Sequence, residues 1–511
     1  MLGPLIIAFF VLLYAYVWKK HQYFKNFGIP HEPGYFPFGS KVSWRALTGQ
    51  VAFLNIPEEI YPNFPNAKVC GYYGLLGEPI LVIRDLEIVK RVMIKDFNHF
   101  IDRNIAGEWI HPESNKHFSN MLTVLQGDKW RAMRSILTPI FTSGKIKATM
   151  PMVNQAAEEL TGYLEKIDKE NIVAKEVFQM YTGEVLGKLG CGIDPKVFRQ
   201  LKDNVFYDQA IKLTGGGKPS IRQVLVGIGI LLFPQLCYYF KAHFLPQDTM
   251  EFFDAVLKKS IKSRQNSREK KNDFIDLFSE ALNNLDVNHF SKTGYLTEEQ
   301  KEDLIVSNAL LLFFAGQDTT SSGISVTFHH LAKNPDVQEK LYQEISDAIE
   351  ENNGDPNLDY NKLHSLIYLE KVLKESLRLW GFSFYGRKCR KEYFIEEIGF
   401  TVPNGMQVIS PSSGIMKEDE HYKDPLKFDP DAHFEGDSSL YSSTFMVFGI
   451  GPRNCVGMRF AFTMMRACMV HTLAKYRILP NSKTINDWVI DPMSPAFLPK
   501  GGINVKLEAR K

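Results

Sequence analysis

The chain has 511 residues, of which 44% are hydrophobic and 23% charged, and a net charge of +2 at pH 7. Such a chain can bury a large core, and a net charge so close to zero gives no support to nucleic-acid binding. Its six cysteines are widely spaced and include no CxxC pair. This pattern excludes a zinc-ribbon site and a disulfide framework, and it favours a reducing compartment on the cytosolic side.

The N-terminal segment predicts a membrane anchor. Nearly every residue from Leu2 to Trp18 is apolar, and Lys19, Lys20 and His21 follow. As a helix this segment would span about 25 Å, which is enough for a thin bilayer. The lysines come after the apolar segment and no small-x-small cleavage pattern follows. We therefore predict an uncleaved anchor with the rest of the chain in the cytoplasm. A cleaved signal peptide is the alternative.

A stiff linker and two strands are predicted next. Residues 28–37 contain three prolines, each of which fixes its own φ and resists both helix and sheet. The following pattern predicts strands at Ala67–Tyr73 and Pro79–Ile83. Asp85 then has the position of a helix N-cap, and that helix is expected to end near Lys95.

Two further apolar stretches have no regular period. Residues 102–124 either cover a ligand or bury apolar groups in the core, and the residues alone do not separate these alternatives. The stretch Val224–Phe240 contains Gly227, Gly229 and Pro234. These residues disfavour a spanning helix, so we expect shallow insertion into a bilayer surface.

A long helix is predicted after Thr297. Thr297 and Gln300 have the spacing of a capping box, and no proline follows until Pro335. The helix could therefore run for about 36 residues, or about 54 Å. Its middle is apolar on all sides and should be buried. Asp318 and Thr319 then follow in the same helix, where polar groups cost stability unless they are paired or functional.

Two helical pairs place polar groups on one face. Trp130 and Arg134 are four residues apart, so an indole N–H and a guanidinium could together bind a carboxylate. Glu375 and Arg378 are three apart and also share a face. A further amphipathic helix is predicted at Asp336–Ile349.

The segment Phe448–Gly457 contains one cysteine in a glycine-punctuated loop, before an apolar, helix-favouring run. A cysteine at the start of a helix is favoured as the thiolate. Gly451 and Gly457 allow sharp turns and a close approach to a flat, bulky group. Arg453 could hold an anionic group beside the sulfur of Cys455. A thiolate and a cation for a carboxylate are what a haem requires; a buried structural cysteine is the alternative.

Phe448, Gly451, Arg453, Cys455 and Gly457 resemble the Phe-x-x-Gly-x-Arg-x-Cys-x-Gly haem loop of the cytochrome P-450 superfamily. The Trp-x-x-x-Arg, Ala/Gly-Gly-x-Asp/Glu-Thr and Glu-x-x-Arg elements of that family also occur here in the family's order, and the resemblance covers nearly the whole chain. It is strongest to microsomal animal members that metabolise xenobiotics and lipids. The resemblance implies a mainly α fold with small β-sheets: a single catalytic domain at 40–511, behind an anchor at 1–20 and a proline-rich linker at 21–39.

The resemblance also implies roles for individual residues. Cys455 would be the metal ligand of haem b, and Thr319 and Asp318 would be catalytic, making room for dioxygen and delivering protons. The other cofactor-binding residues would be Arg453, Trp130, Arg134, Arg387, Phe448, Gly449 and Gly457. Glu375, Arg378 and His433 would be structural. The substrate-pocket candidates are Ile105, Trp109, Phe118, Leu122, Phe314, Ala315, Phe384 and Phe497.

Two stretches depart from the family pattern. The two prolines that usually follow the Glu-x-x-Arg helix are absent, and the spacing to Arg387 is one residue short. The family's Pro-x-Arg-Phe element appears as residues 430–434, without its arginine and with one extra residue. His433 is the candidate substitute, either as a cation or as a neutral donor.

The function implied by the resemblance is a monooxygenase on the cytosolic face of the endoplasmic reticulum membrane. It would use O2 and NADPH electrons from a flavoprotein reductase, with cytochrome b5 as a further donor, on a lipophilic steroid, fatty acid, terpenoid or xenobiotic. Cations on the reductase-facing surface would be Lys129, Arg131, Lys145 and Lys147. One alternative is a haem-thiolate isomerase or dehydratase, against which Thr319 argues because such members tend to lack it. The other is a non-catalytic haem- or lipid-binding protein.

Overall fold

The structure is a computed structural model. It describes residues 2–103, 111–200, 203–213, 226, 229, 234–267, 271–291, 294–381, 385–434, 444–492, 494 and 497–510. The predicted pocket residues Ile105, Trp109 and Phe384, and most of the second apolar stretch, lie outside these ranges.

Helices make up most of the described chain. In chain order they are α1 Leu2–His21, α2 Tyr23–Asn26, α3 Lys41–Leu47, α4 Ile56–Ile60, α5 Leu86–Lys90, α6 Lys116–Ser119, α7 Gly127–Leu137, α8 Ser143–Leu164, α9 Ala174–Cys191, α10 Val205–Leu213, α11 Pro234–Tyr239, α12 Gln247–Ser267, α13 Phe274–Ala281, α14 Glu298–Lys333, α15 Pro335–Glu350, α16 Tyr360–Ser365, α17 Ile367–Trp380, α18 Ser412–Ile415, α19 Pro430–His433 and α20 Met458–Lys475. The predicted helices at 85–95 and 336–349 are confirmed as α5 and α15. After α5 the chain continues as a π-helix at Arg91–Lys95.

The strands form small sheets. They are β1 Gly34–Tyr35, β2 Gly39–Ser40, β3 Val69–Tyr73, β4 Pro79–Ile83, β5 Ile172–Val173, β6 Tyr385–Lys388, β7 Tyr393–Ile395, β8 Phe400–Val402, β9 Gln407–Ser410, β10 Tyr476–Leu479 and β11 Asn504–Ala509. The largest sheet has the order β3-β4-β9-β6. Its first two strands, which the sequence predicted on either side of Gly74 and Gly77, pair antiparallel with Val69 opposite Ile83. β9 then pairs parallel to β4 and antiparallel to β6.

Helix α14 is the central element of the core. Its capping box is present as predicted, because the Thr297 hydroxyl accepts from Gln300 N–H and the Gln300 side chain accepts from Thr297 N–H. It contacts α6, α9, α12, α17 and α20. The sequence predicted burial on all sides from Leu304 to Gly316, and this is confirmed for residues 304–310. It is wrong for the rest of that stretch, where most residues are half-buried and Ala315 is exposed.

Helix α1 is largely exposed, but its last turns contact the body. Among the described residues it is the one helix long and apolar enough to cross a membrane, over residues 3–21. Val17 is fully buried, the ring of Tyr14 lies 5.4 Å from that of Phe36, and His21 lies 5.0 Å from the ring of Tyr73. The last turns of α1 therefore pack against β3 of the largest sheet and against Phe36 of the predicted linker.

Candidate active site

The loop before α20 presents Cys455 from a closed turn. The Cys455 N–H donates to Phe448 O over 2.7 Å, and the Asn454 N–H donates to Gly451 O over 3.0 Å. Helix α20 begins three residues later, at Met458. The cysteine thus lies where free backbone N–H groups and the helix dipole favour a negative charge.

The glycines of this loop have different structural roles. Gly449 and Gly451 have φ values of 79° and 75°, so both adopt the left-handed conformation that favours glycine. A Cβ on Gly451 would lie 2.0 Å from Met93 O, in the π-helix after α5. Gly451 therefore allows the loop to pack closely against the backbone of Met93. Gly457 has an ordinary φ of −89°, and its N–H bonds to the Cys455 sulfur.

The sulfur of Cys455 lies at an internal opening. Cys455 is exposed, yet protein surrounds it closely enough for burial to raise the pKa of its thiol. The Gly457 N–H and the cations Arg134 and Arg103 act in the opposite direction and lower that pKa. Of the six cysteines, the four at positions 70, 191, 389 and 468 are buried, and Cys237 lies on α11. Among the described cysteines, Cys455 is thus the one whose side chain is exposed although protein surrounds it, as at the wall of an internal opening.

Several arginines converge beside this loop. Arg453 is buried, donates to Ile101 O over 2.7 Å and to Leu125 O over 2.8 Å, and lies 4.3 Å from the ring centroid of Trp130. Arg134 donates to the backbone and side-chain oxygens of Asn454 over 2.8 and 2.7 Å. Both predicted cofactor-binding groups of α7 therefore lie next to the cysteine loop.

Arg453 is buried among other cations. Burial is the main cause that lowers the pKa of Arg453 to about 9, the cations Arg103, Arg134 and Arg390 lower it further, and Asp102 opposes the shift. Asp102 lies 3.8 Å from Arg453 and also pairs with Arg390. An anionic group close to Arg453 would offset the cost of burying its guanidinium. The cluster therefore fits the carboxylates that a haem carries.

Arg387 belongs to the same region. It is fully buried in β6, and the next residue, Lys388, donates its N–H to Asp102 O over 2.9 Å. This bridge places β6 beside Arg103, whose Nη2 donates to Arg453 O over 2.7 Å. The altered spacing before Arg387 has thus not moved it away from the cluster.

Helix α14 brings its polar residues to two different places. Thr319 donates its hydroxyl hydrogen to Ala315 O over 2.6 Å, and Ala315 is exposed within a stretch of α14 that is otherwise largely enclosed. The exposed surface of Ala315 indicates an internal space. Asp318, one residue before Thr319, pairs instead with Lys175 of α9 over 2.7 Å.

The described pocket candidates lie in the segment 111–122, on α14 and near the C-terminus. Phe118 is buried and lies 4.8 Å from the ring of Phe244. Leu122 is buried and its N–H donates to the side chain of Asn308 of α14 over 3.1 Å. Phe314 is half-buried beside Ala315, and Phe497 is buried near the C-terminus. The cover segment, defined as residues 111–122, is thus attached to the central helix.

The structural pair and its substitute form a triad. Arg378 Nε and Nη2 donate to the two carboxylate oxygens of Glu375 over 2.7 and 2.8 Å. His433 Nδ1 lies 2.8 Å from Glu375 Oε1, and Nε2 lies 2.5 Å from Lys423 O. His433 therefore occupies the position beside Glu375 from which the usual arginine is missing.

The family comparison agrees with this geometry. The Cytochrome P450 family model matches residues 69–506. The chain belongs to the cytochrome P450 family. It is 29% identical to Cytochrome P450 6B1 of Papilio polyxenes over 98% of this chain and 97% of that protein. It is 32% identical to Cytochrome P450 9e2 of Blattella germanica over 93% and 92%, and 30% identical to Probable cytochrome P450 9h1 of Drosophila melanogaster over 99% and 98%.

Family membership confirms the predicted fold class, cofactor and reaction type. The chain is a haem-thiolate monooxygenase with haem b as its cofactor. The thiolate ligand pushes electron density towards the iron and favours O–O cleavage. The roles of single residues remain predictions. Sequence reasoning missed Asp102, Arg103, Lys175 and Asn308, because no local pattern marks a residue whose partner is distant in sequence.

Proposed function

We propose that Cys455 is the thiolate ligand of this cytochrome P450 and that the surrounding arginines hold the haem carboxylates. The observation that carries the first part is a cysteine that is exposed inside the molecule, at the start of α20, with Gly457 N–H on its sulfur. The convergence of Arg103, Arg134 and Arg453 beside the cysteine loop supports the second part.

Thr319 is proposed to serve dioxygen and proton delivery. Because its hydroxyl hydrogen is donated to Ala315 O, the oxygen lone pairs remain as acceptors for water or a protonated group in the internal space. Asp318 supplies the neighbouring acid. Together they would carry protons to the site of O2 reduction, as the family's threonine motif implies.

The substrate is proposed to be lipophilic and to arrive from a membrane. Helix α1 exposes a long apolar surface, and α11 with the residue after it exposes Leu236, Tyr239 and Phe240. These surfaces suit an anchored enzyme with a shallowly inserted second contact on the cytosolic face of the endoplasmic reticulum. Steroids, fatty acids, terpenoids and xenobiotics all fit this description.

The electron donor is proposed to be an NADPH-dependent flavoprotein reductase, with cytochrome b5 as a second donor. A surface pocket of about 420 Å³ lies beside the cysteine loop, with Pro452 and Arg134 in its wall and Lys95 and Arg131 at its rim. With Lys129, Lys145 and Lys147, these cations offer a basic surface to an acidic partner.

Thr319 argues against the isomerase or dehydratase alternative, because such members of the family tend to lack this threonine. The non-catalytic alternative rested on the missing arginine, and the contact between His433 and Glu375 weakens it. We therefore retain the monooxygenase as the one function that uses all of the grouped residues.

The test measures NADPH and O2 consumed with purified reductase. Without added substrate, each O2 consumed leaves either as H2O2, which uses one NADPH, or as two H2O, which uses two, so the NADPH:O2 ratio reports proton delivery. Substrate is left out because its oxygenation also uses one NADPH per O2. Thr319→Ala should lower this ratio towards one. Thr327→Ala is the matched control, because Thr327 makes the same bond to the carbonyl four residues earlier, Gly323 O, over 2.9 Å. An unchanged ratio in Thr319→Ala would remove Thr319 from the mechanism, and no NADPH use by the wild type would remove the reductase.

A further inference from the structure

A polar seam joins the start of α9 to the middle of α14. Lys175 Nζ lies 2.7 Å from Asp318 Oδ1, and it donates to Asp318 O over 2.6 Å, to Ser321 Oγ over 2.8 Å and to Ser322 Oγ over 2.6 Å. Lys175 is 143 residues from Asp318 in sequence. One ammonium group thus contacts four oxygens on one face of the central helix.

The serine hydroxyls show which way these hydrogen bonds run. Ser321 donates its hydrogen to Gln317 O over 2.6 Å, and Ser322 donates to Asp318 O over 2.7 Å. Each hydroxyl hydrogen is therefore used, and only lone pairs face Lys175. A donor is required at this position, which an ammonium group satisfies. Burial lowers the pKa of Lys175, and the Asp318 carboxylate opposes that shift.

The seam lies beside the segment of α14 that carries Thr319. The side chains of Lys175 and Asp318 are 16% and 14% exposed, so the pair is shielded but still reachable by water. Thr319 follows Asp318 directly and contacts Ala315 on the side of the internal space. Asp318 is therefore the acidic residue next to Thr319 in sequence, although the two side chains leave the helix in different directions.

We propose that Lys175 is a positioning residue for proton delivery, which fixes the Asp318 carboxylate at the α9–α14 seam, next in sequence to Thr319. This inference rests on the proposed function of Asp318 and Thr319. Without the ammonium group, the carboxylate loses its partner and three hydrogen-bond donations to α14 are lost. Water-forming turnover then slows, and more oxygen leaves as peroxide.

The first test uses the NADPH:O2 ratio of the reductase-supported holoenzyme without added substrate. Lys175→Met should slow the water-forming path about tenfold, which is less than the roughly 100-fold loss expected for a group that transfers the proton itself. Lys188→Met is the matched control. Lys188 lies on the same helix, is similarly enclosed and pairs with Glu184 over 2.9 Å, so its removal should leave the ratio unchanged.

A double variant separates positioning from a general structural effect. If Lys175 acts through Asp318, Lys175→Met should not change the ratio further once Asp318 is Asn, because the two changes remove one interaction. An additive effect would overturn the proposal. If Asp318→Asn and Thr319→Ala change the ratio but Lys175→Met does not, the inference about Lys175 fails while the proposed function stands. If none of the three changes it, the proposed function fails.

A second readout needs no turnover. In the oxidised protein without reductase, acetic anhydride labels neutral lysine amines, and peptide mass spectrometry gives the rate at each lysine. Asp318→Asn should raise the labelling rate of Lys175 about tenfold, the factor that corresponds to one pKa unit in the neutral fraction. The rate at Lys188 should not change. An unaltered rate at Lys175 would contradict the ion pair and with it the proposal.

Discussion

His433 should stabilise the fold as a cation, and replacing it should cost stability in a pH-dependent way. Its two ring nitrogens face Glu375 Oε1 and Lys423 O, which are both acceptors, so both nitrogens must carry hydrogens. The bond to Glu375 is the largest cause of the raised pKa of His433, burial opposes it, and the Lys423 carbonyl raises the pKa further. The imidazolium is therefore the form that the folded protein favours.

The magnitude follows from the contacts that would be lost. The His433 and Glu375 side chains are 2% and 0% exposed, so solvent screens the bond little. In His433→Phe, Glu375 keeps both bonds from Arg378 and one from the Asp429 N–H. The loss is then the buried charge-assisted bond to Glu375, about 1.5–3 kcal/mol, together with the bond to the Lys423 carbonyl, which is exposed and can be replaced by water.

The sign of the pH dependence is fixed by the raised pKa. A cation whose folded-state pKa exceeds its unfolded value contributes its full stability below about pH 6.5 and loses it as the pH rises through the folded pKa. The difference in free energy of unfolding between wild type and His433→Phe should therefore be largest at pH 6 and shrink by pH 9. Urea unfolding followed by far-UV circular dichroism measures it.

Two variants check the cause. His433→Arg should be as stable as wild type at pH 6 and should not lose stability by pH 9, because arginine stays charged. His421→Phe is the control: His421 lies 3.8 Å from Glu418, and its loss should cost less than about 1 kcal/mol. A His433→Phe deficit that stays constant or grows towards pH 9 would refute the reasoning.

Two further predictions concern the loop and the cover segment. Gly451→Ala should abolish haem retention, because its Cβ would lie 2.0 Å from Met93 O and its φ is 75°; haem absorbance per protein measures this, and Gly144→Ala, whose Cβ meets nothing within 4 Å, should keep full haem. Asn308→Ala should remove the side-chain bond to the Leu122 N–H, so that hydrogen exchange in residues 116–125 accelerates about tenfold. Unchanged exchange there would mean that Asn308 does not hold the segment.

The parts of the fold that sequence predicted well have local signals. The capping box at Thr297 and the next proline, Pro335, define the ends of α14 because caps and breakers act within a few residues. The strands β3 and β4 followed from their composition and from the glycines between them. The cysteine loop was found because its five fixed positions lie within ten residues.

The parts that sequence did not predict depend on distant partners. Nothing near Lys175 indicates that it faces Asp318, and nothing near Asp102 indicates that it balances Arg453. The π-helix after α5 also had no signal, although Met93 in that helix is what Gly451 contacts. Long-range ion pairs and backbone contacts of this kind arise only when the chain is folded.

The central claim is that Cys455 ligates the haem iron, and the carbon monoxide difference spectrum of the dithionite-reduced protein tests it most directly. The wild type should give a Soret band at about 450 nm, the thiolate signature that the family implies. Cys455→Ser should lose this band, whereas Cys191→Ser, which replaces a buried cysteine of α9, should retain it. A wild-type band at about 420 nm in folded protein, or a band at about 450 nm that survives in Cys455→Ser, would contradict the assignment of the ligand.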